Sequence, residues 1–181
     1  MALLTLAEAK AQLDIETTTD DTELEAYIEA LTAPIERLVG PVETREFTET
    51  VEGKAASLCL TWIPAVALVS ITPTVGTGGA LDLSSVVLDP ATGIVRHRAG
   101  TFAGTLWTVT YTAGRGTVPP TINLAARLLL QHLWRTQYGA ARGGGGADDY
   151  AVTEPIPGFG YAIPNRVLEL LEAYKVPPGV A

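Results

Sequence analysis

The chain has 181 residues, a length that suits one domain or one domain with an additional excursion. Hydrophobic residues make up 47% and charged residues 18% of it, which allows a sizeable core and excludes a disordered tail. The 12 basic and 20 acidic residues give a net charge of −8, so the chain has no electrostatic reason to seek DNA or anionic lipid.

The first part of the chain is acidic and has the pattern of two helices. Residues 1–52 carry 13 acidic and 3 basic residues, whereas residues 53–118 carry 2 acidic and 4 basic ones. Thr5 and Glu8 have the spacing of a capping box, which predicts the start of a first helix. A second helix begins near Asp20, runs through Pro34, where we expect a bend, and ends at Gly40. Its apolar residues recur with a period of 3.6: Leu24, Tyr27, Ile28, Leu31, Ile35 and Leu38.

From residue 44 to residue 112 the apolar period changes to two, which is typical of β-strands. Alternating runs surround Phe47, Leu58 and Val109, and Gly- or Pro-containing turns separate them. The pattern predicts about five or six short antiparallel strands that form one unit between helices.

Helical periodicity returns at Pro119-Pro120 and ends at Gly139. Residues 139–149 contain four consecutive glycines, residues 150–163 are rich in Pro and Gly, and residues 165–175 predict a short last helix. We therefore predict an α+β fold in which a small helical bundle carries an inserted antiparallel β unit. Its parts are a helical body (1–43 with 119–139), the β insertion (44–118), and a glycine-rich loop, extended arm and C-terminal helix (140–181).

The sequence contains no motif that predicts catalysis, a cofactor or a metal. The glycines at 76–79 lack the lysine of a phosphate-binding loop, and the carboxylates of residues 14–25 lack the spacing of a calcium loop. His132 has no second ligand four residues on, His97 is typical of an exposed strand edge, and Cys59 between two leucines is typical of core packing. A small enzyme with an unrecognised carboxylate site stays open as an alternative.

Three features favour an interaction role. The second helix carries an acidic face formed by Glu25, Glu29 and Glu36. Arg96 and Arg98 lie on the same side of one strand and predict at most a weak anionic contact. The arm and last helix carry apolar residues that could dock on a partner or on the chain itself: Phe159, Tyr161, Ile163, Val167, Leu170, Leu171, Tyr174 and Val176.

The order of several short motifs resembles the head–tail connector, or adaptor, proteins of tailed double-stranded DNA phages. These are Leu-Ala-Glu-Ala-Lys at 6–10, Asp-Asp-Thr-Glu-Leu at 20–24, Leu-Thr-Trp-Ile-Pro at 60–64 and Val-Thr-Tyr-Thr-Ala-Gly at 109–114. The closing segment at 158–166 is similar to adaptors of phages that infect actinobacteria.

The resemblance implies a non-enzymatic virion protein that forms a ring, commonly of twelve copies, beneath the portal protein. Such a ring extends the DNA channel at the neck between capsid and tail and gives stopper or tail proteins a platform. The resemblance also implies assembly in the host cytoplasm, no membrane partner and passage of DNA without specific binding. We then expect the apolar arm and last helix to bind the portal or a neighbouring subunit, and Glu25, Glu29 and Glu36 to face the channel. Another neck component, a stopper or tail-completion protein, is the alternative.

Overall fold

The computed structural model describes residues 3–75, 78–138 and 163–176. The elements follow in the order α1 (Leu6–Leu13), α2 (Asp21–Val39), β1 (Arg45–Glu52), β2 (Ser57–Cys59), β3 (Ala65–Pro73), β4 (Val86–Asp89), β5 (Ile94–His97), β6 (Leu106–Ala113), α3 (Pro120–Tyr138) and α4 (Asn165–Glu172). A short 3₁₀ turn, Leu83–Ser85, precedes β4. Four helices and two small antiparallel sheets confirm the predicted α+β class.

The described residues divide into two compact units. The helical unit contains residues 3–39, 118–138 and 163–175, and so holds all four helices. The β unit contains residues 40–117 and residue 176, and so holds all six strands. None of the helices in the described residues combines the length and the apolar character needed to cross a bilayer.

The helical unit follows the local signals of the sequence. The predicted capping box at the start of α1 is confirmed: Glu8 N donates to Thr5 Oγ1 at 3.2 Å, and Thr5 N donates to the Glu8 carboxylate at 2.9 Å. α2 continues as one helix across Pro34. The fully buried side chains lie on one side of each long helix, as the 3.6 period predicts: Leu24, Leu31, Ile35 and Val39 on α2, and Ile122, Ala125, Ala126, Leu129 and Leu130 on α3.

The β unit consists of two three-stranded sheets around one apolar core. In sheet one the strand order is β1-β6-β3, and in sheet two it is β2-β5-β4; every pairing is antiparallel. Strand alternation turns one side of each sheet inward, because successive side chains point to opposite faces. The shared core contains residues from both sheets: Leu58, Leu60, Ala65, Ile71, Val86, Val95, Phe102, Val109, Tyr111 and Ala113.

Two glycines permit close backbone approaches in this unit. A Cβ atom at Gly53 would lie 1.8 Å from the carbonyl oxygen of Phe102, far inside van der Waals contact. At Gly114, φ is +134° and a Cβ atom would lie 2.2 Å from the carbonyl oxygen of Glu43. Only glycine fits at these two positions without movement of the neighbouring backbone.

Candidate functional site

The Glu8 carboxylate joins the first helix to α3. It accepts hydrogen bonds from the Thr5 amide and hydroxyl, and its other oxygen lies 2.6 Å from a terminal nitrogen of Arg127. The Asn123 amide also donates to it. These contacts lower the pKa of Glu8 to about 2, first through the Thr5 backbone and hydroxyl hydrogen bonds and then through Arg127, because each favours the charged carboxylate. The cap was predictable from the sequence, but the pairing with Arg127 was not.

Three further contacts join the helices, and two of them involve α2. Lys10 Nζ lies 2.6 Å from the Asp21 carboxylate and so joins α1 to α2. Gln12 donates to Gln131 on α3 at 3.1 Å. Tyr27 meets Trp134 edge-on, with ring centroids 5.7 Å apart, which joins α2 to α3. These contacts determine which side of α2 faces solvent.

The acidic side of α2 is only partly as predicted. Glu25 and Glu29 are exposed one turn apart, and the alanines beside them, Ala26 and Ala30, are exposed as well. Glu36 is only 7% exposed, and its neighbours Pro34 and Ile35 are also buried. The last turns of α2 are therefore covered on more than one side. This corrects the expectation that Glu36 extends the solvent-exposed acidic face.

The last helix is covered by its own chain. α4 packs against α3, and Ile163, Val167 and Leu171 are at most 2% exposed. Leu170, Tyr174 and Val176 are half-buried. Within the described residues, the apolar side of α4 therefore packs on the chain itself, which is one of the two possibilities that the sequence left open, and binding to a partner stays a prediction. Phe159 and Tyr161, also predicted to dock, lie outside the described residues.

A buried hydroxyl joins sheet one to the loop that carries Trp62. The Tyr111 side chain is fully buried, and its hydroxyl donates to Glu49 Oε1 at 2.8 Å and accepts from the Trp62 amide at 3.0 Å. The Thr61 amide donates to the same Glu49 oxygen at 2.8 Å. Burial, the largest cause, raises the pKa of Tyr111, and the Glu49 carboxylate raises it further. The indole of Trp62, 36% exposed, stacks on Phe47 at 5.2 Å.

Cys59 and His97 lie in other environments than the sequence predicts. Cys59 is exposed, because strand alternation turns it away from the core that takes Leu58; the prediction of core packing is wrong. His97 lies on the central strand of sheet two and packs on the Phe102 ring at 5.4 Å, so it does not mark an exposed edge. His132 is half-buried on α3, and burial lowers its pKa. Arg96 and Arg98 are both exposed.

A further property of the described part of the chain concerns metal binding. No group of three or more His, Cys, Asp or Glu side chains among residues 3–75, 78–138 and 163–176 could hold a metal ion. Its notable polar side chains either join elements, as Glu8 and Tyr111 do, or lie on open faces of α2 and the sheets.

Comparison with solved structures finds the same fold in neck proteins. A chain from the neck of an empty gene transfer agent particle, computed with C6 symmetry, matches with a TM-score of 0.67 at 19% identity, over 99% of this chain and 92% of that one. A chain from the neck of the native particle, computed with C12 symmetry, gives 0.64 at 18% identity, over 97% and 90%. A chain from the native virion gives 0.61 at 19% identity, over 99% and 92%. At this identity the likeness establishes a shared fold.

Two further comparisons address family. No curated protein is similar enough to the chain to count as a match. The model of the head completion protein family matches residues 2–176, which is nearly the whole chain. The chain therefore belongs to the head completion protein family.

Proposed function

We propose that this protein is a head-to-tail adaptor: a structural subunit of a ring that lies under the portal at the virion neck. The observation that carries the proposal is the family match over residues 2–176. Family membership makes the chain a structural virion protein rather than an enzyme. The ring is assembled in the host cytoplasm, extends the DNA channel and offers stopper or tail proteins a docking platform.

The adaptor role is favoured over a stopper or tail-completion role by the architecture. A helical unit of four helices carries the β unit, whereas the alternatives are mostly β. The matched chains come from neck structures computed with C6 and C12 symmetry, and this supports a ring of twelve copies.

Within this ring, Glu25 and Glu29 face the channel. Both are exposed on α2, and the contacts of α1 and α3 fix the direction of that helix. Carboxylates on the inner wall keep DNA from adhering, since every cation that neutralises a phosphate adds affinity that passing DNA would have to break. DNA therefore passes without specific binding. Glu36, which is buried, contributes nothing to this wall.

The portal or a neighbouring subunit binds the C-terminal region. Leu170, Tyr174 and Val176 keep part of their surface exposed and can contact a partner directly. Ile163, Val167 and Leu171 hold α4 on α3, so they support this surface from beneath. Phe159 and Tyr161 extend the same contact.

Co-sedimentation with purified portal rings tests the proposal. The wild-type chain should sediment with the portal, and Leu170→Glu should abolish this because it places a charge in the contact. Glu169→Gln changes an exposed neighbour on the same helix and should bind like the wild type. A wild-type chain that ignores the portal alone but binds a portal that already carries another neck protein is a stopper, and the adaptor assignment is then wrong.

A further inference from the structure

The two sheets of the β unit turn their outer faces in opposite directions, because their inner faces share one core. We call the outer side of sheet one the threonine face; it contains Glu46, Thr48, Thr50, Glu52, Ala67, Ser70, Thr72, Leu106, Thr108, Thr110 and Thr112. We call the outer side of sheet two, with the turn beside it, the arginine face; it contains Lys54, Ser57, Val87, Arg96 and Arg98.

The threonine face carries only negative charge. Its rows are set by register: Thr48 pairs with Thr110, and their hydroxyls lie 3.1 Å apart. Glu46 and Glu52 lie toward the two ends of β1, both exposed, and no described residue of this face is basic. Leu106, opposite Glu52, is 44% exposed and adds an apolar contact at one end.

The arginine face has the opposite charge. Arg96 lies on the central strand, with Ser57 as its partner on one side and Val87 on the other. Lys54 bridges to Ser57, so its exposed ammonium group lies on the same side as Arg96. Arg98 is anchored by its Nε donating to the Ser84 carbonyl at 3.2 Å. Val87 is 44% exposed, the same fraction as Leu106 on the threonine face.

The charges of both faces are available to a partner. Among the described residues, the side chains of Glu46, Glu52, Lys54 and Arg96 form no hydrogen bond and no ion pair within the chain. Asp89, the one carboxylate on the outer side of the sheet-two strands, accepts hydrogen bonds from Ala91 and Thr92 and is attracted by Arg96. It stays charged, and the three cations of the arginine face outnumber it. Each face therefore presents a net charge of one sign beside an exposed apolar side chain.

We propose that the arginine face of one copy docks on the threonine face of the next copy in the ring, an inference that rests on the proposed ring function. The two faces are complementary in charge and lie on opposite sides of one unit. A contact between them is head-to-tail, as a closed ring of identical subunits requires. A two-fold contact between two identical faces would instead place like charges together.

Sedimentation velocity of charge-reversal variants tests this contact. The purified wild-type chain should self-associate at high concentration, and added salt should weaken the association because it screens these exposed charges. The double variants Lys54→Glu/Arg96→Glu and Glu46→Lys/Glu52→Lys should each lower the association constant roughly ten-fold or more, because each reverses the net charge of its face. An equimolar mixture of the two variants should recover it, because every contact in the alternating assembly again joins opposite charges.

Arg135→Glu is the control, since it reverses a charge at an exposed position of α3 outside both faces and should leave association unchanged. Recovery in the mixture also shows that both variants are folded. Association of either variant as strong as that of the wild type would overturn this contact, and so would a mixture that stays dissociated. Neither result would overturn the proposed ring itself. A wild-type chain that stays monomeric at every protein and salt concentration would also overturn this contact. The proposed function is tested separately, by labelling this protein in particles and asking whether the label lies at the neck.

Discussion

The helical unit and the β unit are each stabilised internally by a different kind of contact. In the helical unit, charged side chains at the edge of the core join neighbouring helices, as Glu8 joins Arg127 and Lys10 joins Asp21. In the β unit, the joints are buried: one hydroxyl, that of Tyr111, serves two elements, and glycine backbone passes directly over a carbonyl. Water cannot take the place of a lost partner at a buried contact. We therefore expect substitutions at the buried contacts of the β unit to lower the free energy of unfolding more than substitutions at the charged contacts of the helical unit.

The largest effect is expected at the backbone crossing of the β unit. Gly53→Ala places a methyl group 1.8 Å from the carbonyl oxygen of Phe102, a residue that is fully buried and cannot move without disturbing the core. The free energy of unfolding should fall by about 3 kcal/mol, the upper end of the range typical of overpacking, because the methyl group meets backbone rather than a flexible side chain. Urea denaturation measures this change.

Gly79→Ala is the control for that substitution. No atom lies within 4 Å of a Cβ at Gly79, so the free energy of unfolding should change by less than about 1 kcal/mol. If both alanine variants unfold at the same urea concentration, the crossing at Gly53 does not constrain the β unit.

A smaller loss is expected when the buried hydroxyl is removed. Tyr111→Phe keeps the ring in the core but leaves the Trp62 amide without its acceptor and Glu49 with the Thr61 amide as its remaining donor. An unsatisfied buried group costs about 1–3 kcal/mol, so thermal unfolding should shift down accordingly. Thr48→Val removes a hydroxyl from an exposed pair and should cost much less. Equal losses in the two variants would mean that the Tyr111 network adds nothing beyond an ordinary surface hydrogen bond.

The same contrast explains which features could be predicted from the sequence. The capping box and the 3.6 period of α2 involve residues three or four positions apart, so their pattern is visible in the chain. The Glu8–Arg127 contact spans 119 positions and the Tyr111–Glu49 bond spans 62. Such pairings depend on how the elements pack, and no local pattern encodes them.

Strand alternation carries more information than the sequence analysis used. The pattern Leu58-Cys59-Leu60 already turns the thiol away from the two leucines, so its exposure was predictable. The same alternation would group Glu46 and Glu52 with the threonines between them. The register that sets Arg96 beside Val87 and Ser57 could not be inferred, because it requires the pairing of three strands.

At the charged helical joint we expect a modest effect that depends on pH. The folded-state pKa of Glu8 is about 2, below its ordinary value of 4.5, so the folded chain keeps this carboxylate charged where the unfolded chain takes up a proton. Its contribution is therefore full above about pH 4.5 and is lost as the pH falls toward 2. A third of the side chain is exposed, and solvent screening limits the contribution to about 0.5–1 kcal/mol.

Glu8→Gln should therefore unfold at lower urea concentration than the wild type at pH 7, and the difference should shrink steadily between pH 4.5 and pH 2. Glu16→Gln, at an exposed position without a contact of this kind, should show no such trend. A difference that stays constant down to pH 2 would show that the shape of the residue, rather than its charge, matters at this joint.

The exposed acids of α2 should have the smallest effect on folding and a separate effect on DNA. Glu25 and Glu29 lie on the open side of their helix, so reversing both to lysine should change the free energy of unfolding by no more than about 0.5 kcal/mol. If these residues line the channel, Glu25→Lys/Glu29→Lys particles should retain duplex DNA during ejection, with a defect that salt relieves because it weakens phosphate contacts. Glu16→Lys/Glu169→Lys makes an equal charge change at exposed positions elsewhere and should eject DNA normally. Equal retention in both variants would show that total charge, not the wall formed by α2, governs passage.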